Sequence, residues 1–210
     1  MITLYGYKGS GSAIVEAALD LAGADYRIVS AATWDPASAL DELEKVNPLR
    51  QIPTLVLEDS SVLTESAAIL MHLGAMHPHA RLLPADPAQR AQVQRGLVYI
   101  AANCYSAIGI IDFPERWCAA PDDATNARIR EGARARLHRH WEIFADMFAP
   151  QAALFNRTVP SALALMAVVV SKWSGTRDHL CATRPRFLDA LEQVEKHPVV
   201  AAVLARHWDR

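Results

Sequence analysis

The chain has 210 residues, a hydrophobic fraction of 51% and a formal net charge of −2 at pH 7, enough for a buried core in one large or two modest domains. Its 21 Lys and Arg are mixed among 23 Asp and Glu, so no polycationic surface forms, and neither nucleic acid nor an anionic membrane is expected as a partner. Three cysteines, Cys104, Cys118 and Cys181, form no Cys-x-x-Cys pair, and their odd count predicts structural thiols in a reducing, cytoplasmic compartment.

Ile2-Thr3-Leu4-Tyr5 predicts a strand that starts directly after Met1, with no signal peptide ahead of it. The turn GYKGSGS (6–12) is glycine-rich and feeds a predicted helix over 13–22, stopped by Gly23. It lacks both G-x-G-x-x-G and a terminal Gly-Lys-Ser/Thr, so it is not a phosphate loop. Tyr26-Arg27-Ile28-Val29 predicts a second strand, and a β-α-β opening implies a parallel pair. A short helix over 37–46 then leads into Asn47-Pro48. PTLVL (53–57), the turn Glu58-Asp59-Ser60-Ser61 and Val62-Leu63 predict an antiparallel hairpin. Thr64-Glu65-Ser66 ends it, and Ala67 through Leu73 form an apolar helix.

That last junction carries chemistry. A helix starting at Glu65 and Ser66 has free N–H groups and a positive dipole end, suited to a ligand carboxylate, while Glu65 takes an ammonium. One zwitterionic group satisfies both. A cis bond at Ile52-Pro53 would add an unpaired backbone edge able to take a peptide-like ligand as an extra strand. The bland alternative is that Pro53 merely begins a strand and Glu65-Ser66 merely caps a helix.

Residues 74–87 (GAMHPHARLLPADP) predict a linker, and His77 and His79 in it lack a third ligand, so no metal site is expected. From 88 on the pattern is helical. A long helix over 88–111 carries Val93, Leu97, Ile100, Cys104, Ile108 and Ile111 at helical spacing, with Tyr105 and Phe113 as aromatic candidates near its end. Asp122 and Asp123 introduce a helix over 126–148, whose Arg128, Arg130, Arg134, Arg136 and Arg139 form a solvated face. The longest apolar run, 162–170, is far short of the ~20 residues that cross a bilayer. A helix over 162–173 follows Thr158 as N-cap, with Pro160 at its second position; two more cover 187–196 and 199–208.

Asn47-Pro48, Gln51, Ile52-Pro53 and Glu65-Ser66 together resemble the glutathione-binding half of glutathione S-transferases. The resemblance implies a thioredoxin-like α/β domain over 1–75, in the order β-α-β-α-β-β-α, and an all-α C-terminal domain over 88–210. It implies glutathione as co-substrate, held by Gln51, Ile52, Pro53, Glu65 and Ser66, with Ile52-Pro53 cis. It also implies a homodimer with a detoxifying activity on a small, mostly apolar electrophile. The family's second-substrate pocket lies where Tyr105 and Phe113 fall. Tyr99-Ile-Ala-Ala-Asn-Cys-Tyr105 resembles the bacterial, cysteine-type branch, which has a His at the place of Tyr105 and a Cys at the place of Gly11. The thiolate-stabilising donor is therefore sought among Ser10 first, then Ser12 and Tyr5, the last of which has the core as its other destination. The family has Asp where Ser161 stands, so a looser cap is expected there.

Conjugation of glutathione to the electrophile is the expected activity, with glutathione-dependent reduction or isomerisation beside it. Two rivals share the fold: a non-catalytic glutathione-binding or interaction protein, and a disulfide or dehydroascorbate reductase. The second wants a Cys in the 9–12 turn, and none is there.

Overall fold

The computed structural model describes residues 1–156 and 158–208; positions 209 and 210 of the expected C-terminal domain lie outside the described residues. The N-terminal half runs β1 (Ile2–Gly6), α1 (Ser12–Ala22), β2 (Tyr26–Ser30), α2 (Leu40–Val46), β3 (Thr54–Val56), β4 (Val62–Leu63) and α3 (Ser66–Met76). The sheet order is β2-β1-β3-β4, with β1 and β2 parallel and the other neighbours antiparallel. A parallel pair needs a crossover, and α1 supplies it. This is the thioredoxin-like arrangement expected from the sequence.

Side chains alternate across the strands and so split the packing. Leu4 and Leu55, opposite each other on β1 and β3, are fully buried in the main core with Ile14, Leu70 and Leu73 of α1 and α3. Tyr5 points the other way and packs with Ala31 and Leu43, on the α2 side. Helix α2 starts at Leu40 rather than at 37 because Asp35 first makes a turn: its carboxylate accepts the Ala37 N–H at 3.0 Å, and the Ser38 hydroxyl donates to the Asp35 carbonyl at 2.6 Å.

The rest is helical: α4 (Pro87–Tyr99), a π-helical segment (Ile100–Tyr105), α5 (Ser106–Asp112), α6 (Asp123–Phe148), α7 (Ala162–Val170), α8 (Thr176–Thr183), α9 (Pro185–Glu195) and α10 (Pro198–His207). Helix α7 is apolar all round and every residue of it is buried, against α1, α3, α4 and α9. The core is continuous from Leu4 to Val203, so the two halves share one apolar interior.

Past residue 73 the structure refines several expectations. The 74–87 segment connects α3, which continues to Met76, to α4 and is anchored on the way: Leu82 is fully buried, and its carbonyl accepts the Ala162 N–H at 2.9 Å. The helix over 88–111 is interrupted at Ile100–Tyr105, where Asn103 Nδ2 donates to the Tyr99 carbonyl at 3.1 Å and His140 Nδ1 meets the Asn103 carbonyl at 2.8 Å, satisfying groups the wider turn frees. The N-cap of α7 is Ser161, not Thr158; its hydroxyl accepts the Ala164 N–H at 3.2 Å and donates to the Leu154 carbonyl at 2.6 Å. Ser161 therefore uses both faces of its hydroxyl as the N-cap itself, whereas the looser cap was expected of it as the acceptor reaching back to Thr158. Among the described residues no helix is long and apolar enough to cross a membrane, and no three His, Cys, Asp or Glu cluster as metal ligands.

Candidate functional site

A cleft of ≈ 1050 Å³ separates the strand ends and the α1 and α3 starts from the helical half. Its first wall is the turn before α1, where Gly9, Ser10 and Gly11 face the space. Gly9 sits at φ +73°, a conformation open to glycine at little cost, and its N–H donates to His207 Nδ1 at 3.2 Å. Ser10 Oγ donates to the Tyr7 carbonyl at 2.7 Å and accepts the Ser12 N–H at 3.2 Å. Ser12 is fully buried; its Oγ accepts the Tyr7 N–H at 3.2 Å and lies 3.0 Å from Ser10 Oγ. The two hydroxyls thus fold the turn onto itself.

The second wall joins Gln51, Ile52, Pro53, Glu65 and Ser66. Asn47 holds its loop: Nδ2 donates to the Gln51 carbonyl at 3.0 Å and to Thr54 Oγ1 at 2.9 Å, and Oδ1 accepts the Leu49 N–H at 3.1 Å. The Ile52–Pro53 peptide is cis, as expected. Glu65 is the N-cap of α3 at φ +63°, in the left-handed region that costs a non-glycine residue on the order of 1 kcal/mol. Neither its carboxylate nor the hydroxyl of buried Ser66 has a hydrogen-bond or ion-pair partner among the described residues. Two polar groups thus stand unpaired at the positive end of a helix, in a cleft.

Side chains from the helical half close the cleft. Tyr105, the last residue of the π segment, stacks on Trp173 with ring centroids 5.7 Å apart, and its hydroxyl lies against Gly11. Burial, and then the charges of Glu65 and Asp112, push its pKa up to about 12. Phe113 lies beneath the Arg116 guanidinium, 4.0 Å from the ring centre, and exposed Trp34 and Trp117 stand at the rim.

Of the residues singled out from sequence, Ser10, Gln51, Ile52, Pro53, Glu65, Ser66, Tyr105 and Phe113 share this cleft; Tyr5 and Ser12 do not line it. Tyr5 fails because β1 alternation turns it to the other sheet face, and Ser12 because it lies inside the turn. Sequence reasoning missed the support beneath Gly9. His207 Nε2 is 2.5 Å from Glu16 Oε1, both are about 95% buried, and Arg206 adds ion pairs to Glu16 at 3.4 Å and Asp20 at 2.9 Å. Because His207 Nδ1 accepts from Gly9, its proton is on Nε2, donated to Glu16. The signal available was a carboxylate amid the apolar residues of α1.

A thioredoxin-like sheet joined to a helical half, with an unpaired acid and hydroxyl facing a cleft between them, defines a two-part protein whose halves meet at a polar-edged cleft. Residues 12–76 match the family model described as the N-terminal domain of glutathione S-transferase. The uncharacterized GST-like protein YncG of Escherichia coli (strain K12) is 42% identical over 123 residues, 58% of each chain. A probable maleylacetoacetate isomerase of Caenorhabditis elegans is 38% identical over 103 residues, 48% of this chain and 46% of that protein. The chain spans about half the length of the curated relatives it matches. The crystal structure of a glutathione transferase homolog from Sulfitobacter, with bound glutathione, superimposes with TM-score 0.79 at 25% identity, over 97% of this chain and 96% of that one. Residues 12–76 thus carry a glutathione S-transferase N-terminal domain, and the fold of the whole chain is similar to that of a glutathione transferase homolog.

Proposed function

We propose that the protein binds glutathione in this cleft and stabilises its thiolate for attack on a small electrophile. The observation that carries the reading is the unpaired Glu65–Ser66 pair at the α3 start. There the γ-glutamyl ammonium meets Glu65, and its carboxylate meets Ser66 and the free N–H groups of the helix. The cysteinyl backbone runs along Ile52, with Gln51 beside it, and the sulfur reaches the α1 start at Gly9–Gly11. The bound Sulfitobacter ligand supports this reading by likeness of fold.

The chemistry asked of the protein is small. Lowering a thiol pKa by about two units takes ~2.7 kcal/mol of thiolate stabilisation, and the positive end of α1 supplies part of it. The thiol proton passes to water in the open cleft. The sulfur electron pair then forms the C–S bond while the leaving group departs with its own pair. Phe113 and Ile108 offer an apolar seat for the electrophile. Ser10 shapes the turn in this reading, because its proton is held by the Tyr7 carbonyl.

A second reading is glutathione-dependent isomerisation, favoured by the Caenorhabditis elegans relative's name and by Arg116. That guanidinium rests on Phe113 with no carboxylate partner among the described residues, and it suits an acidic substrate. In that case the sulfur adds to a double bond, the new single bond rotates, and elimination returns glutathione unchanged. The same reading carries a homodimer and a cytoplasmic location with it.

Calorimetry on wild type and Glu65→Ala tests the binding. Removing the carboxylate leaves the ammonium unpaired and weakens affinity by about tenfold or more, ~1.5 kcal/mol for one charge-assisted contact at a partly wet site. No glutathione binding by the wild type at millimolar concentration would remove the proposal. Product analysis then separates conjugation from isomerisation, since only the first consumes glutathione.

A further inference from the structure

Among the described residues, Ser10 and Ser12 spend their hydroxyls inside the turn, yet the cleft contains a third hydroxyl at the same place. A β-carbon built on Gly11 would collide with Tyr105 Oη and stand 3.2 Å from Tyr105 Cζ. The Tyr105 hydroxyl therefore occupies the volume of a side chain at position 11, at the N-cap of α1. It has no hydrogen-bond partner among the described residues. Its ring cannot drift, because Trp173 stacks on one side of it and the π segment anchors its backbone to α6 through Asn103 and His140.

We infer that Tyr105, reaching across from the helical half, is the catalytic donor that holds the glutathione sulfur as thiolate, and that residue 11 must be glycine to admit its hydroxyl. This rests on the glutathione reading above and assigns the donor that reading leaves open. At neutral pH the phenol stays protonated, as its raised pKa requires, so it donates to the sulfur and takes no proton from it. The thiol proton still leaves to water, and Tyr105 keeps its own. The positive end of α1 and the donated hydrogen bond then act on one atom from two halves of the chain. A side chain at position 11 would have to share that space, so Gly11 and Tyr105 act as a pair.

The test is the ultraviolet absorbance of the bound thiolate against pH, with glutathione saturating, for wild type, Tyr105→Phe, Gly11→Ala and the double variant. Tyr105→Phe is expected to raise the bound thiol's pKa by one to two units and to slow attack on a chloronitroaromatic electrophile by about ten- to a hundredfold at neutral pH. Affinity for S-methylglutathione, which has no thiol to ionise, stays within about threefold, because its peptide contacts lie elsewhere. Gly11→Ala displaces the hydroxyl and gives a shift of the same sign, and the double variant titrates like Tyr105→Phe alone. A wild-type titration from Tyr105→Phe overturns the inference, as does slower conjugation with the titration unmoved, which would place the hydroxyl on the electrophile. Should Tyr105→Phe not fold, an unmoved titration in Gly11→Ala is equally fatal. Absence of glutathione binding by the wild type would end both this inference and the reading beneath it, whereas binding with an unshifted variant ends this one alone.

Discussion

Ser10 stands in the turn where the thiolate donor was sought, with its hydroxyl bonded inside that turn. Its proton goes to the Tyr7 carbonyl at 2.7 Å and its lone pair receives the Ser12 N–H, so both are engaged within the turn. Ser10→Ala removes both contacts from a buried turn, and the expected loss is ~1 kcal/mol in urea unfolding. The accompanying shift in thiol titration should be smaller than that of Tyr105→Phe; a larger one returns the donor role to Ser10. That a serine stood in this turn was legible in the sequence. Which acceptor collects its proton was not, because Tyr7 meets it only after the chain has bent back. Glu65 differs: its place at a helix start was legible, whereas its positive φ and a carboxylate without a partner among the described residues were not.

At the scale of elements, α7 depends on a cap that the sequence placed three residues too early. Ser161 is 4% exposed and bonds on two sides, to Ala164 N–H and to the Leu154 carbonyl. Ser161→Ala leaves both groups without that partner and should cost ~1–2 kcal/mol by chemical denaturation. Ser161→Asp keeps an acceptor but loses the donor and sets a carboxylate against a buried carbonyl, so it should be less stable than wild type. A more stable Asp variant would show that the donated bond is dispensable. Between α6 and α8, acid should act on Glu142, whose pKa is lowered first by the hydrogen bond from His179 and then by Arg139. A depressed carboxylate pKa stabilises the fold above the unfolded value of 4.5, and that contribution disappears as pH falls through the folded one. Glu142→Gln should therefore flatten the acid limb of a pH–stability curve. The π segment was invisible in the pattern of 88–111, because apolar spacing survives one widened turn. Its supports, Asn103 and His140, are 37 residues apart in sequence.

Across the whole molecule, α10 reaches back to the turn before α1. His207 takes the Gly9 N–H and is itself held by Glu16 of α1, with Arg206 pairing to Glu16 and Asp20. Glu16→Ala leaves a buried imidazole N–H and a guanidinium short of a partner, and a loss of ~3 kcal/mol is expected from urea unfolding. Glu16→Gln keeps an oxygen acceptor and should recover much of it. Amide hydrogen exchange gives the local readout: His207→Leu should speed exchange at Gly9 while amides of α7 keep their protection. Equal protection at Gly9 in both proteins would mean that His207 merely fills space.

The sequence by itself determined the β-α-β-α-β-β-α order, the helical second half and the acid–hydroxyl start of α3, because strand alternation, turn chemistry and helix caps are written within a few residues of where they act. Tertiary structure alone decided which hydroxyl stands against Gly11 at the start of α1. Tyr5 went to the far face of the sheet, Ser10 and Ser12 closed on Tyr7, and Tyr105 came to Gly11 from more than ninety positions away. That outcome depends on a π turn braced by α6 and on a ring held by Trp173, contacts between segments that no local pattern relates.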